Sequence, residues 1–298
     1  MKTVHFQAMG SPCAVHVDGE AALHEQAAKS VIAEVFRIEA KYSRYLPNSL
    51  LSKINREASL GRSIRVDEET AELIDYAGAC YRLSDQLFDI TSGILRKAWD
   101  FGSGIPLNLD RINELIGKVG FEKLGWVRPV LTFDRPDMEI DLGGIAKEYA
   151  ADRGVDICRS LGIESCLIDL GGDISIGGPR RDGEPWLISI RDAKSATQAF
   201  ATLTLSKGGL GSSGDYERFI EIEGRRYSHI LDPRTGWPVS GLSSVSVASD
   251  HCLAAGSLST IAMLKGSQGA EWLLSRGISH AAIDHHGSRF ATPPFVLT

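Results

Sequence analysis

The sequence predicts an α+β fold in which antiparallel sheets carry packed helices. Apolar segments with strand alternation come in neighbouring pairs joined by short turns, as at 3–18 and 166–178. Longer segments with apolar residues at helical spacing, such as 20–41 and 251–265, separate those pairs. The regular strand–helix–strand alternation of a doubly wound sheet is absent.

Each element follows from local chemistry. Residues 3–9 and 12–18 read as strands of a hairpin around Gly10-Ser11-Pro12. Ala-rich sequence from Glu20 to about Lys41 reads as a long helix. YSRYLPNSLLSKIN (42–55) reads as a polar loop opening into a short helix. Asp67 is an N-cap, with Glu68 and Glu69 in the first turn, for a helix to about Ser84. FDITSGILRKAWDFGSG (88–104) combines a short helix with an aromatic, Gly-rich exit, and 109–119 forms another helix. EIDLGG (139–144) predicts a strand running through Gly143-Gly144 into an amphipathic helix, and CLIDLGGDISIGG a strand broken at Gly171-Gly172. WLISIRDA, FATLTLSK, RFIEIEG, RRYSHIL and SVSVASD read as strands, with Glu223-Gly224 a hairpin turn. Helices at 251–265 and 268–276 precede a terminal strand and turn. No repeat, linker or low-complexity stretch interrupts 1–298, so one domain is expected.

Composition excludes several classes. The 298 residues are 43% hydrophobic and 23% charged, an ordinary globular balance. A net charge of -6 with no basic block argues against a nucleic-acid partner. The five cysteines are odd in number and none lies at metal-ligand spacing from another, which predicts buried thiols rather than a disulfide framework or zinc site. No apolar run reaches membrane-span length and the N-terminus has no signal-peptide core or lipid-attachment cysteine, so a cytoplasmic protein is expected.

Five segments set Gly and polar residues beside apolar strands: Met9-Gly10-Ser11, Phe88-Asp89-Ile90-Thr91, Asp141 to Lys147, Gly171-Gly172-Asp173 and Ser213-Gly214-Asp215-Tyr216. Gly lets backbone approach a ligand closely, and a Gly-Gly opening a helix aims N–H groups at an anion. Lys147, one turn into that helix, can reach the same anion, so a phosphate-bearing ligand is expected. Any single Gly pair is better read as a turn that needs Gly for its geometry. Neither GxGxxG nor the P-loop pattern occurs, which argues against an ordinary dinucleotide or nucleotide fold.

Residues 226–238 read RYSHILDPRTGWP. Strand alternation puts His229 and Leu231 on one face and Ile230 and Asp232 on the other. Pro233 holds Asp232 extended and Pro-Arg-Thr-Gly is turn chemistry, so the strand stops abruptly with His229 near a fixed loop. A histidine there suits proton transfer. The same segment equally suits an Asx turn closed by Asp232 beside an ordinary hydrogen-bonded histidine. His285 and His286, adjacent on a strand, point to opposite faces and read as surface residues.

In this order the motifs resemble the FAD:protein FMN transferase (ApbE) family, whose fold is related to the T-fold. The resemblance runs from Met9-Gly10-Ser11 through Ser43, Tyr45, Ser49 and Asn55 to FDIT, DLGGIAK, LGGDI, SSGDYERF and HILDPRTGWP. It implies an enzyme that uses FAD and Mg²⁺ to place FMN on a Thr or Ser hydroxyl of an acceptor flavoprotein, releasing AMP. It further implies His229 as base with Asp232 beside it, and two sublobes with the site between them. Met9, Tyr45 and Asp89 would hold the flavin or adenosine part, Lys147 the pyrophosphate, and Gly10, Ser43, Ser213, Gly214 and Leu231 would complete the FAD site. The Gly144 carbonyl and Thr260 would be metal ligands.

Two residues depart from the family pattern. The metal-ligand Asp, four residues before Thr260, is Gly256 here, and Glu148 stands where Gly is usual. Losing a carboxylate should weaken a Mg²⁺ site. Glu148 offers another carboxylate, but the sequence does not say where it points. Two further expectations therefore stand beside transfer: an FAD-binding relative acting as carrier or partner subunit, and hydrolysis of FAD to FMN and AMP.

Overall fold

Two-residue turns with positive φ at both positions build the hairpins of the larger sheet. Met9 (φ 52) and Gly10 (φ 74) join the strands Lys2–Ala8 and Ser11–Val17. Gly171 (φ 70) and Gly172 (φ 93) join Cys166–Leu170 and Asp173–Ile176. Such turns match the twist of the strands they connect, and Gly adopts them without strain. The computed structural model describes residues 1–99, 109–133, 135–192, 195, 198–216, 219–222 and 225–298.

The chain forms two compact units. The first comprises Met1–Ala40, Gly144–Gly214 and Gly241–Thr298. Its eight-stranded sheet is antiparallel throughout. The two hairpins lie side by side, followed in order by Gly208–Gly214, Leu242–Ser249, His280–Asp284 and Arg289–Ala291. Alternation along the strands separates its two faces. Leu167, Ile174, Ile176 and Leu210 pack with Trp186, Ile188 and Phe200 of a three-stranded sheet. The opposite face, represented by Ile168, packs on the helix Ala146–Ser160 at Gly154. The helix Cys252–Leu264 lies against the strand Gly208–Gly214.

The second unit comprises Lys41–Gly143 and Asp215–Ser240. It holds the helices Leu50–Ser59 and Glu68–Leu83, capped by Ser49 and Asp67, and a 3₁₀ helix over Ile90–Lys97 capped by Asp89. It also holds the helix Leu109–Ile116, a small antiparallel sheet of Ile64–Arg65, Val130–Phe133 and Leu124–Val127, and a hairpin of Phe219–Ile222 with Arg225–Ser228.

The antiparallel α+β fold is as the sequence predicts, with some departures; His285 and His286 lie in the turn after the strand His280–Asp284, not on it. Glu139 to Leu142 is no strand: the Asn55 amide takes the place of a neighbouring strand, donating to the Ile140 carbonyl at 2.9 Å and accepting from its N–H at 2.8 Å. Gly208–Gly214 is a central strand that its glycines conceal. The strand at RRYSHIL ends at Ser228, so the expected alternation of His229, Ile230, Leu231 and Asp232 does not occur; Leu231 makes only an isolated bridge to Pro238. The aromatic exit beyond Trp99 and the Glu223-Gly224 turn lie outside the described residues.

Candidate active site

Sheet register gathers the expected residues of the first unit at one end of its large sheet. Ala8 pairs with Ser11 and Leu170 with Asp173, so the Met9-Gly10 and Gly171-Gly172 turns both sit at that end. They touch: a Cβ on Gly171 would meet Ser11 Cβ at 2.6 Å. Leu210 pairs with Ile174, which carries Ser213 and Gly214 to the same end. The Met9 N–H donates to Glu39 at 2.8 Å, which holds Met9 in its strained conformation. Ser213 Oγ lies 2.8 Å from Ser259 Oγ and 3.1 Å from Thr260 Oγ1.

The helix Ala146–Ser160 starts at this end with no side-chain cap. Lys147 Nζ lies 2.6 Å from Asp173 Oδ2, and the Ser212 N–H donates to Asp173 Oδ1 at 3.0 Å. Asp173 is buried, which raises its carboxyl against the opposing pull of Lys147. The pair fixes the ammonium beside the Gly171-Gly172 turn and cancels part of its charge.

Glu148 follows Lys147 and is buried at 6% exposure. Its Oε2 has no hydrogen-bond partner among the described residues. Burial, and then the charge of Asp173, push its carboxyl up to about 8. The side chain fills the space beside Gly256: a Cβ there would sit 2.8 Å from Glu148 Oε1 and 2.9 Å from Cδ. On its other side Gly256 is met by Gly211, whose own Cβ would lie 2.5 Å from the Ala255 carbonyl carbon.

In the second unit the 3₁₀ helix is the hub. Asp89 Oδ1 accepts from Thr91 N–H and Oγ1 at 2.7 and 2.6 Å, and Oδ2 accepts from Phe121 N–H at 3.0 Å. Burial raises this carboxyl, with Glu122 adding to the shift. Both Asp89 oxygens thus serve the chain itself. Asp141 N–H donates to the Ile90 carbonyl at 2.7 Å, and its carboxylate pairs with Arg44. Arg44 donates to Tyr45 Oη at 2.8 Å and lies 5.0 Å from that ring's centre, while the ring is 73% exposed. The Tyr45 N–H donates to Ser43 Oγ at 3.3 Å. Leu231 packs against a cluster of Ile94, Leu95, Leu115 and Val119, to which the 3₁₀ helix contributes Ile94 and Leu95.

That loop realises the Asx turn: Arg234 N–H donates to Asp232 Oδ1 at 2.8 Å, and Arg234 Nη2 lies 3.0 Å from Oδ2. His229 is exposed at the end of the preceding strand. Asp232 therefore shapes the loop.

Sequence reasoning missed Arg44 and Asp141, which hold Tyr45 in place, and the pairing of Asp173 with Lys147. The DLGG and LGGD motifs contain both aspartates, so the signal was present. Among the described residues no group of three or more His, Cys, Asp or Glu could hold a metal ion, and no helix is long and apolar enough to cross a membrane. A cavity of about 550 Å³ in the second unit, lined by Asn55, Lys97, Arg111 and Glu139 among others, contains no expected site residue.

The sequence pattern of the ApbE family matches residues 9–283. The FAD:protein FMN transferase of Vibrio cholerae serotype O1 is 32% identical over 239 residues, 78% of this chain and 71% of the relative. That of Salmonella typhimurium is 31% identical over 263 residues, 84% and 74% of the two chains. The structure is similar to that of the ApbE protein from Thermotoga maritima, with a TM-score of 0.91 at 29% identity over 98% of this chain and 97% of the other. It is also similar to the flavin transferase ApbE from Vibrio cholerae, with a TM-score of 0.86 at 26% identity over 99% of each chain. With the motifs in family order and the fold shared along its whole length, this chain belongs to the ApbE family.

Proposed function

We propose that the protein is an FAD:protein FMN transferase. It moves the FMN half of FAD onto a Thr or Ser hydroxyl of an acceptor flavoprotein. The hydroxyl oxygen attacks the FMN phosphorus, the bond from that phosphorus to the bridging oxygen breaks, AMP departs with that oxygen, and the hydroxyl proton passes to a base. Phosphoryl transfer depends chiefly on positioning and charge stabilisation. His229, exposed and in a loop shaped by Asp232, takes the proton. The Met9-Gly10, Gly171-Gly172 and Ser213-Gly214 backbones approach the pyrophosphate, with Lys147 held ready by Asp173. Tyr45, exposed and braced by Arg44, offers a face for a ring of FAD, with Ser43, Asp89 and Leu231 supporting its surroundings. A Mg²⁺ ion held by the Gly144 carbonyl, the Thr260 hydroxyl and a carboxylate would neutralise charge developing on the phosphates.

One observation carries this reading within a family whose curated relatives are FMN transferases. Met9, Gly10, Lys147, Ser213 and Gly214, from three separate stretches of chain, come to one end of one sheet. The test follows AMP and FMN by chromatography after incubation with FAD and MgCl₂, with and without an acceptor flavoprotein. AMP that forms only with acceptor, and without free FMN, is the expected result. Equal AMP and FMN without acceptor would make the protein an FAD pyrophosphatase. FAD binding without AMP under any divalent metal would make it a carrier.

A further inference from the structure

We propose that Glu148 supplies the carboxylate of the divalent-cation site, in place of the side chain that position 256 lacks. Glu148 and Gly256 are then two halves of one exchange between facing helices. The cation is taken as Mg²⁺ from the transferase reading, and the proposal rests on that reading to this extent.

Three observations support it. The first is volume. A side chain at 256 would begin against the Glu148 carboxyl, with its Cβ 2.8 Å from Oε1. With Glu148 where it stands, a side chain at 256 has no room without a shift, and the Glu148 carboxyl occupies the space an aspartate at 256 would enter. The second is the orphaned oxygen. Glu148 is 6% exposed and its Oε2 has no hydrogen-bond partner among the described residues. Leaving a buried carboxyl oxygen unsatisfied is costly, and a cation would satisfy it. The third is spacing. Gly256 precedes Thr260 by four residues, about one turn of the helix Cys252–Leu264, and Gly144 lies four residues before Glu148, in the turn that leads into the helix Ala146–Ser160. The Glu148–Gly256 contact sets these turns against each other. A carbonyl, a carboxylate and a hydroxyl are the hard oxygen donors Mg²⁺ prefers, with water and substrate phosphate filling the remaining positions.

The bland alternative is that Glu148 merely fills space. Glutamine has the same shape and separates the two. The full-length protein is titrated with Mn²⁺ alone, and free Mn²⁺ is read by electron paramagnetic resonance, with folding checked by circular dichroism. Glu148→Gln should weaken Mn²⁺ binding at least about tenfold, since even outer-shell partners of a metal contribute that much. Glu148→Gly should weaken it similarly, and Glu148→Gly with Gly256→Asp should restore it to within about threefold of wild type by the same measure. If Glu148→Gln does not fold, the last two variants carry the comparison. Wild-type affinity in Glu148→Gln, no gain from the double change over Glu148→Gly, or no Mn²⁺ binding by the wild type would overturn the proposal. Because the readout needs neither FAD nor acceptor, its failure is separable from that of the transferase reading. Wild-type protein that transfers FMN while Glu148→Gln binds Mn²⁺ unchanged refutes the Glu148 site alone. Protein that transfers no FMN while the Mn²⁺ series behaves as expected refutes the transferase reading alone.

Discussion

A Cβ on Gly256 would run into the Glu148 side chain, so returning an aspartate to 256 alone adds volume where none is free. Sequence alone suggests the opposite, that this change restores a lost ligand. Gly256→Asp should instead destabilise the protein by about 1–3 kcal/mol, the usual cost of overpacking, and bring no gain in FMN transfer. A denaturant midpoint and a transfer assay check both parts. His229 calls for a different comparison. His229→Ala should lower transfer by about 10²-fold or more while FAD affinity changes little, the signature of a lost proton acceptor. A parallel loss of FAD affinity would make it a binding residue. Asp232 shows what local sequence can do: the Asx turn was legible from Asp-Pro-Arg-Thr-Gly, and the Arg234 contacts confirm it. The meeting of Glu148 with Gly256 was not legible, because the two residues stand 108 positions apart in sequence, on two helices that only the tertiary fold brings together.

At the scale of elements, the helix Cys252–Leu264 borrows its cap. His251 provides no side-chain cap, and Asp152 of the neighbouring helix instead accepts from the N–H groups of Cys252 and Leu253, both at 2.9 Å. The Ser175 hydroxyl donates to the same carboxylate at 2.7 Å. Asp152→Ala should therefore cost about 2 kcal/mol, at the upper end for a cap, and appear as a lower urea midpoint with unchanged slope. The strand Gly208–Gly214 explains its own concealment. Gly209 and Gly211 lack side chains where the Cys252–Leu264 backbone crosses, so a composition that argues against a strand is what this packing requires. Gly211→Ala should cost about 3 kcal/mol or more, because its Cβ would meet backbone that has no room to yield. The misread strand at Glu139 to Leu142 has the reverse cause. Its pattern is extended, but its hydrogen-bond partner is one side chain, and no local pattern distinguishes Asn55 from a neighbouring strand.

For the whole molecule, hairpin spacing and the absence of strand–helix alternation made the antiparallel α+β architecture readable in advance. The division into two units, each assembled from non-contiguous stretches, is not marked by any linker in the sequence. Ligand linkage offers a global check: FAD at about 100 times its dissociation constant should stabilise the folded protein by about 2.7 kcal/mol, read as a rise in Tm that grows with FAD concentration. The most direct test of the central claim is the intact mass of an acceptor flavoprotein after incubation with this protein, FAD and MgCl₂. FMN transfer predicts one added FMN mass on the acceptor, absent when its accepting Thr or Ser is replaced by Ala and absent when EDTA replaces MgCl₂. An acceptor that keeps its original mass with every divalent metal tried would contradict the account.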